Sequence, residues 1–316
     1  MKLLKLVPEG TNLDFMRWRT VALVISTLLT IASISYTVYR GLNLGIDFVG
    51  GELVRVEFAQ PVPTDQIRGQ VDALCGCEAG ITTLGNDRTY QIRLPKPAGP
   101  QSASDAMVSK LRVVIPQEHP GARVDSGEAV SGKVSEELAD SSALAIALAM
   151  LGIAVYIWFR FEWQFGVGAL LTLAHDISMT LGFFAFTQLP VDLNVVAAFL
   201  TILGYSLNDT VVIYDRIRED LRKYRRMAIL PLINVSLNET LARTVVTSIT
   251  VLIALGILLL IGPEVIRGLA IAIFLGVLIG TYSSIYISAP VLVWLGVKPD
   301  SFLRTEDKDS AQPETA

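Results

Sequence analysis

Six stretches of this 316-residue chain are apolar enough to cross a hydrocarbon core of about 30 Å, which takes roughly 20 helical residues each. They are Val21–Tyr39, Ser141–Phe159, Phe165–Leu189, Leu193–Ile213, Val245–Ile261 and Gly268–Leu295. Hydrocarbon offers no water to unpaired backbone groups, so such segments must be helices packed together. Composition agrees with a polytopic membrane protein. The chain is 52% hydrophobic and only 18% charged, with a mean hydropathy of +0.51, unlike ordinary soluble domains. The first stretch is too long for a signal-peptide core and no small-residue cleavage site follows it, so it is expected to stay as an uncleaved anchor.

The placement of Lys and Arg sets the expected orientation. Lys2, Lys5, Arg17 and Arg19 precede the first span, and Arg160 lies between the second and third. Arg216, Arg218, Arg222, Lys223, Arg225 and Arg226 follow the fourth, whereas "TQLPVDLN" has no basic residue and "GPEVIRG" only Arg267. Residues 1–20 are therefore expected to be a cytoplasmic segment, 21–39 the first helix, and 40–140 an outer domain. Residues 141–297 would hold helices two to six with a basic cytoplasmic loop near 214–235, and 298–316 a disordered cytoplasmic tail. The loop places Asp215, Arg218 and Arg222, and also Glu219 and Lys223, at helical pair spacing. No basic patch interleaved with aromatics points to nucleic acid.

The outer segment has soluble composition and the size of one small domain. "GELVRVEF" alternates as a strand, and "PTDQIRGQVDAL" reads as a helix capped by Thr64 with Ile67, Val71 and Leu74 inward. "AGITTL" and "TYQIRL" read as strands joined at "GNDR". Ser104–Gln117 reads as a helix with Met107, Leu111 and Val114 inward, and Ala122–Val130 as the last strand. Pro95, Pro97 and Pro100 form a linker inside the domain. The order βαββαβ predicts an α+β ferredoxin-like sandwich. Cys75 and Cys77 are too close in sequence for an unstrained bridge, so free or loosely paired thiols are expected.

Polar residues inside the spans carry the functional argument. Asp209, beside Asn208 in "YSLNDTVV", interrupts an apolar run, and a charge at mid-bilayer costs about 2.5–3.5 kcal/mol on insertion scales. It needs an interior position with a partner, or a neutral protonated state, unless it merely reaches the interface. Arg243 in "NETLARTVVTS" is the expected partner, about two turns into a fifth helix starting near Ser236; the alternative is a snorkelling arginine. Asn208, Thr247 and Asp176 could extend a polar network. His175 and Asp176 point about 100° apart and should not face one partner, which leaves His175 free to cap a backbone group. Only two histidines are present and no HExxH, so no metal site is expected. "GIDFVGG", with Asp47, Gly50 and Gly51, reads as a structural junction. Gly276, Gly280 and Ser284, four apart, read as a small-residue packing face.

"IDFVGG", "VYIWFRFEWQF", "LAHD", "LTILGYSLNDTVVIYDRIRED", "NETLARTVVTS" and "GTYSSIYISAP" together resemble the SecF branch of the SecD/SecF family of protein-export membrane proteins. The resemblance runs over nearly the whole chain. It implies a six-helix half of an RND-type transporter in the bacterial inner membrane, with a periplasmic domain between the first two helices. It also implies a SecD partner, the SecYEG channel, YajC, a translocating unfolded polypeptide and the surrounding lipid bilayer. Protons would be the coupling ion, with no other cofactor and no enzymatic reaction. By the same resemblance Asp209 and Arg243 belong to a proton pathway. Competing readings are half of an RND-type small-molecule or lipid exporter, an intramembrane hydrolase using Asp176 and Asp209, and a passive assembly subunit.

Overall fold

All six apolar stretches are helical, and most extend past the ends that hydropathy sets. The computed structural model describes residue 8 and residues 11–76, 79–84, 88–94 and 101–297. In chain order the elements begin with α1 (Arg19–Arg40), α2 (Ile46–Val49), β1 (Gly51–Glu57), α3 (Thr64–Cys75), β2 (Gly80–Thr83) and β3 (Thr89–Leu94). Next come α4 (Gln101–Glu118), β4 (Arg123–Val130), α5 (Gly132–Arg160), α6 (Trp163–Thr187) and α7 (Leu193–Lys223). The chain ends in α8 (Ile229–Ile261), α9 (Arg267–Ser283), a π-helical turn (Ser284–Ser288) and α10 (Ala289–Trp294). Among the described residues the six membrane-crossing segments are α1, α5, α6, α7, α8 and the α9–α10 run.

The segment after α1 folds as a four-stranded antiparallel sheet in the order β2-β3-β1-β4. Val54, Val56, Ile92 and Leu94 pack there with Ile67 and Val71 of α3 and with Val108, Leu111 and Ile115 of α4. That is the ferredoxin-like arrangement, one helical layer on an antiparallel sheet. The inward face of α4 is turned from the expected one, since Val108 and Ile115 are buried while Met107 and Val114 are half-buried. Thr64 is the first helical residue and makes no cap; the N-cap position belongs to Pro63, whose fixed φ leads into the helix without a hydrogen bond. Cys75 is disulfide-bonded rather than a free thiol. Cys77, the proline linker, most of the "GNDR" turn and the 298–316 tail lie outside the described residues.

Two boundaries differ from the sequence reading for physical reasons. α7 continues through its charged run, and α8 starts at Ile229 instead of near Ser236, so the expected basic loop shrinks to residues 224–228. Charges in α7 are held mostly by neighbouring elements. Arg160 meets Asp215 at 2.7 Å, Arg218 meets Glu162 at 3.3 Å, and Arg216 joins Glu219, Asp220 and Glu239. In α8, Asn234 and Asn238 hold the N-terminal segment. Leu13 N–H donates to Asn238 Oδ1 (2.8 Å) and Met16 N–H to Asn234 Oδ1 (3.0 Å).

α6, α7 and α9 form the centre of the bundle, burying 50%, 44% and 44% of their apolar windows against 11%, 6% and 11% for α1, α5 and α8. Close approach of α9 to α7 depends on Gly276, where a Cβ would fall inside the Ile202 side chain. At Gly280 a Cβ would meet Ser206 Cβ at 3.3 Å, a contact that a small shift relieves. Ser284 is buried and donates to Thr281 O at 3.0 Å. Gly276→Ala is therefore expected to destabilise the purified protein by about 1–3 kcal/mol, and Gly280→Ala by clearly less, in thermal unfolding monitored in detergent.

Candidate functional site

The bundle centre holds two buried carboxylates with opposite surroundings. Asp176 on α6 is fully buried and well satisfied. Its Oδ2 accepts from Ser206 Oγ of α7 (2.5 Å) and Ser283 Oγ of α9 (2.9 Å), and its Oδ1 lies 2.9 Å from His175 Nδ1. One side chain thus ties together the three central helices. His175 bonds its neighbour rather than capping a backbone group, so the two side chains meet although they leave the helix about 100° apart. Ser206 and Ser283 were not singled out from the sequence. Their signal was present: Ser206 sits three residues before Asp209 on one helical face, and Ser283 opens the "SS" pair of the last span.

Asp209 on α7 is 2% exposed, and its Oδ2 has no hydrogen-bond partner among the described residues. Thr210 Oγ1 on the same helix and Thr244 Oγ1 on α8 are likewise buried and unpartnered. The antiparallel contact of α7 with α8 explains the clustering. Tyr205 Oη donates to Ser248 Oγ at 3.4 Å, and Ser236 Oγ to Asp220 Oδ2 at 2.7 Å. One turn on from Tyr205 along α7, and one turn back from Ser248 along α8, Asp209 comes level with Thr244.

Arg243 is therefore at the depth of Asp209, but it is not in contact. Its side chain is exposed, next to the buried Thr244 in sequence, and no ion pair joins it to Asp209 among the described residues. The helix start at Ile229 also places it about four turns into α8 rather than two. Asn208 is exposed on α7. Thr247 Oγ1 donates to the backbone oxygens of Arg243 (3.0 Å) and Thr244 (3.1 Å). Neither joins a side-chain network with Asp209 or Asp176. Among the described residues no group of three or more His, Cys, Asp or Glu is placed to hold a metal ion.

At the other end of α7 the glycine-rich junction is built as a turn. Gly50 and Gly51 have φ of 71° and 126°, a region that favours glycine, and Asp47 Oδ2 accepts the Leu193 N–H at 2.9 Å.

Comparison with known proteins places this arrangement. Residues 114–298 match the family described as protein export membrane protein SecD/SecF, C-terminal, and residues 40–62 match the SecD/SecF GG motif. The chain belongs to the SecD/SecF family, on its SecF side. It is 43% identical over 300 residues to the protein translocase subunit SecF of Cereibacter sphaeroides, covering 93% of each chain. Over 301 residues it is 37% identical to that of Pseudomonas aeruginosa, covering 95% of this chain and 96% of the relative. The crystal structure of SecDF, a translocon-associated membrane protein from Thermus, matches with a TM-score of 0.84 and 33% identity. That match covers 90% of this chain and 39% of SecDF. A second SecDF structure, in a super-membrane-facing form, matches with a TM-score of 0.64, 30% identity and coverage of 95% and 40%. This SecF-type chain thus spans about two fifths of the SecDF chains it resembles.

Proposed function

We propose that this chain is the SecF subunit of a SecD-containing complex that uses the proton-motive force to promote protein export through the SecYEG channel, with YajC as a further associate. Both termini then face the cytoplasm and the ferredoxin-like domain the periplasm of a bacterial inner membrane, as the Lys and Arg bias requires. The observation that carries the reading is Asp209: a buried carboxyl, level with an arginine, with an oxygen that nothing in the bundle satisfies.

A carboxyl is expensive to charge in apolar surroundings, and a guanidinium brought alongside offsets that cost. Movement of Arg243 toward or away from Asp209 is then answered by loss or gain of a proton. Because Arg243 is exposed on α8, such movement needs no repacking of the α6–α7–α9 centre. A charge carried across 100 mV supplies about 2.3 kcal/mol, enough to bias two packings that differ by a few kcal/mol.

Arg243→Ala separates this role from a structural one. The side chain is exposed and makes no ion pair among the described residues, so thermal stability is expected to shift by less than about 0.5 kcal/mol. Export driven by an imposed proton gradient in proteoliposomes holding the whole complex should fall sharply. Undiminished gradient-driven export by this variant would count against the reading.

A further inference from the structure

The junction after α1 is bound along its length to the loop that starts α7. Val191 N–H donates to Asn43 O (2.8 Å) and Gly45 N–H to Val191 O (2.7 Å), so Leu44 and Val191 pair as a parallel β-bridge. Asn43 Nδ2 donates to Gln188 O at 2.8 Å, and Gln188 Nε2 to Gly41 O at 3.3 Å. Backbones approach so closely that a Cβ on Gly45 would lie 3.1 Å from Val191 O.

Asp47 completes the contact. The first N–H groups of a helix have no partner within it. Asp192 takes that of Val195 at 2.9 Å, and Asp47, 146 residues upstream, takes that of Leu193. Both carboxylates also sit at the positive end of the helix dipole. Burial pushes the Asp192 carboxyl above its ordinary range, the Val195 N–H opposes this, and the nearby Asp47 adds to it. A second acid is therefore tolerated here at some electrostatic cost, which local stability alone does not require when Asp192 already caps the helix.

On its other side the junction is held by the domain. Arg93 of β3 donates to Leu44 O and, at 3.0 Å, to Asn43 Oδ1. Gly80 on the neighbouring strand makes room, since a Cβ there would lie 3.2 Å from Arg93 Nε. Sheet, junction and α7 form one hydrogen-bonded series, and α7 continues for about 24 Å from Leu193 to Asp209.

We propose that Asp47 is a positioning residue that clamps the start of α7 to the ferredoxin-like domain, so that displacement of α7 and of the domain is a single rigid motion. The clamp transmits what Asp209 initiates, and in that sense it rests on the reading of Asp209 as the coupling group.

The test uses the whole complex in proteoliposomes, with proton flux and gradient-driven export measured separately. Asp47→Ala is expected to keep flux within about twofold and to lower export about tenfold or more, the effect of losing a charge-assisted hydrogen bond. Asp47→Asn, which still offers an oxygen to Leu193 N–H, should retain export. In the Asp47→Ala background, Leu44→Cys with Val191→Cys supplies a covalent substitute, because paired β residues lie about 4.8 Å apart, within disulfide range. Export should return on oxidation and be lost on reduction, whereas the same cysteine pair beside native Asp47 should be insensitive. Unchanged export in Asp47→Ala, joint loss of flux and export, or failure of the oxidised pair to restore export would each overturn the clamp. Flux that ignores Asp209→Asn would overturn the relay alone, leaving the clamp to be judged on export and its rescue.

Discussion

Asp209→Asn is expected to leave the bundle and its assembly intact and to remove the proton-driven part of export. Asparagine has the same shape, and Asp209 Oδ2 has no hydrogen bond to lose. What disappears is the ability to bind and release a proton. One charge moved through 100 mV supplies about 2.3 kcal/mol, which is about a 50-fold bias at 1.36 kcal/mol per factor of ten. Gradient-driven export should therefore drop by about that factor per proton, while export without a gradient stays at its basal level. Co-purification with the partner subunit checks assembly in the same preparation. A variant that assembles and still responds to the gradient would remove Asp209 from the mechanism.

Asp176→Ala should fail for a different reason. Ser206, on another helix, and His175 lose their acceptor in a buried place, and Ser283 is left with only the Gly280 carbonyl at 3.2 Å. Removing one member of a buried polar cluster costs about 3–5 kcal/mol when charge is involved, and each stranded polar group about 1–3 kcal/mol. The expected outcome is a thermal transition in detergent lowered by several kcal/mol together with poor recovery from the membrane. Asp176→Asn keeps one acceptor oxygen and should lie between Asp176→Ala and the parent. If Asp176→Ala unfolds like the parent, the three-helix tie is not a source of stability. The two acids thus separate by experiment: Asp209 changes coupling, Asp176 changes stability.

The spans and the order of elements in the outer domain were legible because each rests on a local pattern, an apolar run or an alternation. At the start of α8, local chemistry is outweighed by distant partners. Asn234 and Asn238 resemble caps, but their side chains hold the N-terminal segment from more than two hundred residues away. Likewise the charges after Tyr214 read as a basic loop with helical pair spacing, and partners on α8 and at the α5–α6 turn hold them as a continuation of α7. Asp209 stood out since an acid in an apolar run is costly wherever it points. Whether Arg243 touches it depends on helix rotation, which hydropathy does not encode. Asp47 looked like a turn former, and its bond to Leu193 depends on two loops meeting in space.

Coupling through Asp209 depends on a single protonation event, and infrared difference spectroscopy of the reconstituted complex observes it most directly. With a proton gradient imposed and collapsed, the carbonyl stretch of a protonated carboxylic acid should rise and fall, and this band should be missing from Asp209→Asn. A band that persists unchanged in Asp209→Asn, or an Asp209 carboxyl that keeps one protonation state throughout the gradient cycle, would contradict it.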